Sequence, residues 1–487
     1  MKSYYVVAVL ALGVGCTAQD APSGEVRVGA DNTVIDALFA EWDVPGSPGC
    51  GLAVAKNGNL IYSRGYGYAN LDYDIPITPA TVFDVASVTK QFNAASIIML
   101  AQEGKLSLDD DVRKGLPELP EYEWPITLRH MLQHTSGLRD YLALFPLAGR
   151  DDYYPISHPQ ILAMMSRQRA LVSRPGDQYR YSNTAFMLLA QVIERVNGQT
   201  LGEITEERIF SPLGMSQSFM YENREEIVPQ RSIGYFLEDD GHVRIVHNYN
   251  FDVAGDGQLY STMEDLLIWD SYLHGAEKPA IHAEMLVEGH LNNGDAIDYS
   301  QGLRRREYRG LSTVGHGGSS WGFRTEIIRF IEPGLSIAIS CNMDNANPQL
   351  LAKQVADHYL ADQLAAIVAE EASDESEESA VEGPEAPTLT ADQLAEFSGS
   401  FFSPELDASY HFAVAEGSLW LRIEQEPPIA VVAVADDHFE GDFQPDGWSG
   451  ASTISLEFDR NRAGAVIGFG LSMGQERGIV FEKGEAR

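Results

Sequence analysis

Ser87 stands three residues before Lys90 in the run Asp84-Val85-Ala86-Ser87-Val88-Thr89-Lys90-Gln91-Phe92. Residues three apart share one face of a helix. A helix that starts at this serine therefore brings the hydroxyl to the amine. An amine so placed can take the hydroxyl proton and make Ser87 a nucleophile. The first helical turn also favours developing negative charge. Of the eight lysines in the chain, only Lys90 has a serine three residues before it. Taken alone, the spacing is also what a helix-capping serine beside an unrelated lysine produces.

Two other clusters carry residue types that suit the same chemistry. Tyr181-Ser182-Asn183 follows the turn Arg174-Pro175-Gly176. A loop tyrosine can shuttle a proton, and Asn183 can hydrogen-bond a substrate amide. The plainer reading is a turn with Ser182 or Asn183 as a helix N-cap. His316-Gly317-Gly318 is expected to end a strand, where glycines let a ligand approach the backbone. Its imidazole can offer a hydrogen bond or a positive charge to a carboxylate or oxyanion. A strand-end turn with a surface histidine is the plainer reading there.

The elements that must position these residues are legible in outline. Residues 50–68 alternate around Asn57-Gly58, a strong hairpin signal. Helical patterns dominate from about 87 to 275, including an apolar helix from Lys90 to Lys105, one over Ala185–Val196 and one with a capping box at Ser261-Thr262-Met263-Glu264. Strands return at Leu311–Val314, Phe323–Phe330 and Leu335–Ser340, and a helix is expected over Gln349–Val368. The simplest closure is one antiparallel sheet built from both ends of this region, with a helical subdomain inserted and a cleft where sheet meets helices. Residues 370–385 hold eight acidic residues and read as a solvated linker. From 391 onward eight short strand-like runs, from Phe397–Phe402 to Gly478–Lys483, predict a small β-barrel or sandwich.

Composition narrows the function classes. The chain has 487 residues, enough for two or three units, and a net charge of −37. So acidic a surface argues against a nucleic-acid partner, because few cations face phosphate. Lys2 followed by an apolar stretch from Tyr4 to Gly15 reads as a secretory signal, too short to span a bilayer. Cys16 resembles a bacterial lipoprotein cleavage site, although Gly13 departs from the usual Leu or Val; ordinary cleavage after Ala18 is the alternative. Cys50 and Cys341 either form a disulfide or remain two buried thiols. The cysteines have no metal-ligand spacing.

Taken together, Ser87-x-x-Lys90, Tyr181-x-Asn183 and His316-Gly317-Gly318, in that order, resemble the serine β-lactamase and penicillin-binding-protein superfamily. The resemblance is closest to the class C-like branch, the peptidase S12 group, with its D-aminopeptidase-like hydrolases and family VIII carboxylesterases. Connecting phrases match as well: Ile126 to Leu138, Tyr179 to Asn183, Pro212 to Met215 and Gly315 to Phe323. The similarity covers about residues 32–363, and the tail looks like the lipocalin-like barrel that many members carry.

The resemblance implies an α/β (α+β) fold of two subdomains, an antiparallel sheet flanked by helices plus a helical subdomain, followed by the small barrel. The expected division is a signal segment over 1–18, a hydrolase domain over 32–365, an acidic linker over 366–390 and the barrel over 391–487. It implies Ser87 as nucleophile, Lys90 as its base or as the holder of the proton network, Tyr181 as proton donor to the leaving group and helper of the deacylating water, and Asn183 orienting the acyl side chain. His316, Gly317, Gly318 and Ser319 would line the substrate, with the N–H groups of Ser87 and Ser319 as oxyanion hole. No metal or cofactor is implied. His316 stands where β-lactamases of this superfamily usually have lysine, which favours peptidase or esterase chemistry over strong β-lactamase activity. His134 is expected to be structural. The expected protein is an exported serine hydrolase, periplasmic or lipid-anchored through Cys16, acting on a small-molecule or peptide amide or ester. Its rivals are a true β-lactamase and a β-lactam-binding sensor with little turnover. A Ser-His-Asp hydrolase using Ser320 of Gly318-Ser319-Ser320-Trp321-Gly322 is disfavoured, because a strand rather than a helix is expected to follow. The barrel is left with three candidate roles: covering the cleft, setting substrate size, or driving assembly.

Overall fold

The computed structural model describes residues 26–27, 32–150, 156–238, 240–246, 251–364, 387–424, 426–444 and 452–484. The expected signal segment with Cys16, most of the acidic linker and the last residues of the helix expected over Gln349–Val368 lie outside these. A seven-stranded antiparallel sheet forms the first layer. Its strands are β1 (Val26–Arg27), β2 (Cys50–Lys56), β3 (Asn59–Tyr66), β4 (Arg304–Tyr308), β5 (Leu311–Ser320), β6 (Phe323–Phe330) and β7 (Leu335–Cys341), in the spatial order β1-β3-β2-β7-β6-β5-β4. The hairpin over 50–68 forms, and Asn57 and Gly58 adopt φ of 51° and 79°, as a two-residue turn between twisted strands requires.

β2 lies beside β7, so the two ends of the region do share one sheet. Cys50 stands opposite Cys341 in that register, and the two are joined by a disulfide, so the free-thiol alternative falls away. β7 is buried along its whole length because both faces are covered. Ile337 and Ile339 pack with Ile35 and with Val355 of the helix Pro348–Tyr359. Ala338, on the opposite face, belongs to the larger core with Phe92 and Trp269.

Helices α1 (Thr89–Gln102), α2 (Tyr141–Leu147), α3 (Asn183–Asn197) and α4 (Met263–His274) pack on that second side. α1 is buried almost all round, as its apolar sequence demands. Three local expectations need correction. The helix expected at Ser261 starts two residues later: Thr262 is the cap and accepts from Asp265 N–H at 3.2 Å, while Ser261 closes a short strand. The strand expected over Leu311–Val314 continues to Ser320, so His316-Gly317-Gly318 lies within β5 rather than at its end. The glycines remain extended because Gly317 and Gly318 pair with Glu326 and Thr325 of β6. The region over 87–275 also contains short strands, among them Phe219–Met220 and Leu259–Ser261.

Eight further strands close into a barrel: β8 (Gly399–Ser403), β9 (Ala408–Ala415), β10 (Ser418–Ile423), β11 (Ile429–Ala435), β12 (His438–Phe443), β13 (Ser452–Arg460), β14 (Val466–Met473) and β15 (Glu476–Lys483). β15 pairs back onto β8, which removes free edges. Alternate residues point inward, and the rings of Phe401, Phe412, Phe458 and Phe469, set mostly edge to face with centroids 5.2–5.9 Å apart, fill the middle. The barrel interior is thus a packed aromatic core.

Candidate active site

Ser87 sits in a single tight turn, Ala86–Val88, that runs directly into α1. Ala86 holds a left-handed φ of 49°, a conformation that costs a non-glycine residue about 1 kcal/mol or more. The Asp84 carboxylate holds that turn by accepting Ala86 N–H at 2.8 Å. Burial pushes the Asp84 carboxyl up to about 6, against the opposing pull of that N–H.

Lys90 is completely buried. Its Nζ donates to Ser87 Oγ at 3.0 Å, to Asn183 Oδ1 at 3.0 Å and to the Asp256 carbonyl at 2.7 Å. These three acceptors match the three N–H groups of an ammonium. An amine that takes the Ser87 proton is therefore fully partnered as soon as it is charged. Nζ also lies 4.9 Å from the centre of the Tyr181 ring.

Tyr181 and Asn183 are delivered by the start of α3. Ser182 is the N-cap, and its Oγ accepts Ala185 N–H at 3.2 Å. Asn183 N–H donates to Asp140 Oδ2 at 2.5 Å. His134 Nδ1 accepts Ser182 N–H at 3.0 Å, and its ring lies 4.1 Å from the Tyr181 ring. Burial, then the nearby cations, hold the His134 imidazole well below its usual value. It is a neutral prop under Tyr181, in line with the structural role expected for it.

β5 forms the opposite wall. Only its first half, Leu311–Gly315, pairs with β4, so the stretch from His316 to Ser320 has a free edge towards Ser87. A Cβ on Gly318 would stand 2.3 Å from the Val85 carbonyl, so only glycine lets this strand approach the nucleophile turn. A cavity of about 830 Å³ opens here, lined among others by Ser87, Tyr181, Asn183, His316 and Ser319.

Of the two roles open to His316, a hydrogen bond or a positive charge, the surroundings favour the hydrogen bond. Its Nδ1 donates to the Gly317 carbonyl at 2.6 Å, since a carbonyl only accepts, and Nε2 lies 2.8 Å from the Tyr299 hydroxyl. Burial, then the nearby Lys90, pulls the imidazole down to about 3. It is neutral at any physiological pH and offers no positive charge. Arg304 of β4 is one of several cations that line the cavity, and its guanidinium carbon lies 5.5–6.0 Å from the rings of Tyr179, Tyr181 and Tyr299. Because an unfolded chain protonates this histidine near 6.5, the fold loses about 1.4 kcal/mol per pH unit from this group between 6.5 and 3. From pH 7 to pH 5, wild type should lose roughly 2 kcal/mol more than His316→Gln, read from urea midpoints. Equal losses in the two proteins would mean that the imidazole charges normally.

The three expected clusters, 229 residues apart from Ser87 to His316 by their numbering, therefore meet in one cleft. Ser320 does not qualify as an elbow nucleophile: it ends β5, and a tight turn leads into β6, another strand. Sequence reasoning missed Asp84, Asp140, Asp256, Tyr299 and Arg304. The only signal was position: Asp84 precedes Ser87 by three, and Asp140 follows the matched phrase that ends at Leu138.

The layout is that of the serine β-lactamases and penicillin-binding proteins. The sequence model of one family, described as Beta-lactamase, matches residues 35–361, and the chain belongs to that family. Among characterised proteins, it is 29% identical over 310 residues to a D-aminopeptidase of Gluconobacter oxydans (strain 621H), spanning 63% of this chain and 58% of that one. It is 31% identical over 294 residues to penicillin-binding protein 4* of Bacillus subtilis (strain 168), spanning 57% and 64%. The chain thus spans about three fifths of the length of these relatives. Among solved structures, the octameric penicillin-binding protein homologue from Pyrococcus abyssi shares the fold with a TM-score of 0.60 at 22% identity, over 93% of this chain and 100% of that one. The D-amino acid amidase from Ochrobactrum anthropi SV3 matches with a TM-score of 0.56 at 22% identity, over 68% and 99%.

Proposed function

We propose that this protein is an exported serine hydrolase that cleaves amide bonds of small molecules or short peptides through a Ser87 acyl-enzyme. The observation that carries the reading is the 3.0 Å contact between Lys90 Nζ and Ser87 Oγ inside the cleft. Lys90 takes the hydroxyl proton as Oγ bonds the substrate carbonyl carbon. The ammonium that forms is held by Asn183 and the Asp256 carbonyl. The N–H groups of Ser87 and Ser319 receive the oxyanion. Tyr181 gives its proton to the departing nitrogen, regains one from the water that attacks the acyl carbon, and Lys90 returns its proton to the released Ser87 Oγ.

D-Amino-acid amides and peptides are the favoured substrates, because the D-aminopeptidases are relatives; small esters fit the same chemistry. The neutral His316 lacks the charge that grips a penicillin-type carboxylate, which disfavours strong β-lactamase activity. The apolar segment from Tyr4 to Gly15 and the Cys50–Cys341 disulfide support export.

One labelling experiment tests these points. A fluorescent penicillin should label wild type and fail to label Ser87→Ala, with the wild-type label lost over time. Equal labelling of Ser87→Ala would remove Ser87 from the role of nucleophile. A permanent label would favour a sensor over a hydrolase. In its membrane-impermeant form, the probe should label intact expressing cells, and labelling only after lysis would count against export.

A further inference from the structure

The barrel reaches the catalytic lysine through an unbroken line of hydrogen bonds. Residues 474–478, the turn out of β14 together with the first residues of β15, lie against the helical subdomain. Glu476 Oε1 accepts Asp140 N–H at 3.1 Å. Asp140 Oδ2 accepts Asn183 N–H at 2.5 Å, and the Asn183 side chain also bonds this carboxylate. Asn183 Oδ1 accepts Lys90 Nζ, which donates to Ser87 Oγ. The same turn grips the segment on either side. The Gln475 carbonyl accepts from Arg180, the residue before Tyr181, at 3.2 Å. The Arg477 and Gly478 carbonyls accept from Arg139, the residue before Asp140, at 2.9 and 3.2 Å.

The charged side chains at the centre of these contacts are buried, while the Arg180 contact lies exposed at the edge. Glu476 is 5% exposed and Arg139 1%. Arg139 also pairs at 2.7 Å with Glu405 of the barrel, itself 1% exposed. Glu405 in turn accepts N–H groups from both domains, Arg169 at 2.8 Å and Val480 at 3.2 Å. A surface that merely tethered two domains would leave charged groups wet at its rim. Here carboxylates and a guanidinium are sunk into the join, directly behind Asn183.

We infer that the β14–β15 turn of the barrel, through Glu476, is a positioning element for the catalytic Lys90–Asn183 pair. Glu476 fixes the backbone of Asp140. Asp140 sets where Asn183 enters α3, and Asn183 holds the amine on Ser87. Glu476 touches no substrate and takes no proton in the reaction. Its effect is to narrow the spread of Nζ positions around Oγ, and displacement by about 1 Å is enough to cost up to a hundredfold in rate. The inference rests on the acyl-enzyme reading above.

The test uses the full chain and a fluorescent penicillin as acylating probe, with rates expressed per titratable active site so that unfolded molecules do not count. Glu476→Ala should acylate about tenfold to a hundredfold more slowly per site, with the half-saturating probe concentration unchanged. Glu476→Gln should recover to near the wild-type rate, because its amide oxygen still accepts Asp140 N–H. A purely structural role predicts fewer active sites at the wild-type rate per site. That outcome, or Glu476→Ala and Glu476→Gln being equally slow, overturns the inference. If Glu476→Ala yields no folded protein, Glu476→Asp decides: its shorter reach should slow acylation per site, and a wild-type rate overturns the inference. Absence of any Ser87-dependent label in wild type overturns the acyl-enzyme reading itself, and this inference with it.

Discussion

Replacing Lys90 by methionine should lower the acylation rate of Ser87 by about two to four orders of magnitude, the range that a positioned general base contributes. Methionine fills a similar volume without a proton acceptor. It leaves Ser87 Oγ, Asn183 Oδ1 and the Asp256 carbonyl without their shared donor. The carbonyl and amide can turn to water in the cleft, but none of them can take the hydroxyl proton. Lys90→Arg sharpens the test. A guanidinium keeps the charge and the donors but cannot act as a base. It should be as slow as the methionine variant. An arginine variant that kept a tenth or more of wild-type rate would show that Lys90 serves by its charge, and the proton would need another acceptor.

The second large effect falls on stability. Arg139→Leu should destabilise the protein by about 3–5 kcal/mol, because it leaves Glu405 as a buried, uncompensated charge. The guanidinium also bonds Gln168 Oε1 at 2.9 Å and the two carbonyls of the β14–β15 turn, all of which lose a donor. Changing Glu405 to Gln in the same chain should recover part of the loss, since the stranded charge disappears while the acceptor for Arg169 N–H remains. Chemical denaturation of the three proteins reads both numbers. A loss below about 1 kcal/mol for Arg139→Leu would mean that water reaches Glu405 and that the join is looser than the buried pair requires.

Much of this molecule can be read without coordinates, for physical reasons that differ by element. The hairpin at Asn57-Gly58 is legible because only a few residue pairs accept two positive φ values in succession. The barrel strands are legible because period-two alternation survives wherever one face is wet and the other is packed. The Ser87–Lys90 pairing is legible because it is local. What is hidden is whatever depends on distant chain segments. The identity of the acceptors on Lys90 depends on Asp256, 166 residues away. The charge on His316 depends on burial and on a tyrosine hydroxyl, neither of which its neighbours in sequence announce. The length of β5 was underestimated because glycine weakens a strand in isolation, while pairing with β6 overrides that weakness. The start of α4 was misplaced by a rival cap: Ser261 and Thr262 both suit the role, and the bond Ser261 makes with Ser218 at 2.8 Å leaves the cap to Thr262.

The join between β2 and β7 carries a consequence for biosynthesis. The strands it pairs belong to segments whose bridged cysteines are 291 residues apart. At ribosomal speeds the hairpin β2–β3 emerges roughly 15 to 60 s before its neighbour exists. During that interval Leu52 and Val54 present a bare apolar ladder, the kind of edge that recruits other chains. A nascent polypeptide halted before Leu335 already contains Ser87, Lys90 and Tyr181, yet lacks the strand that joins its first hairpin to β6 and, through it, to the wall facing the serine. The scaffold of the reactive centre is complete only after its last sheet strand is made.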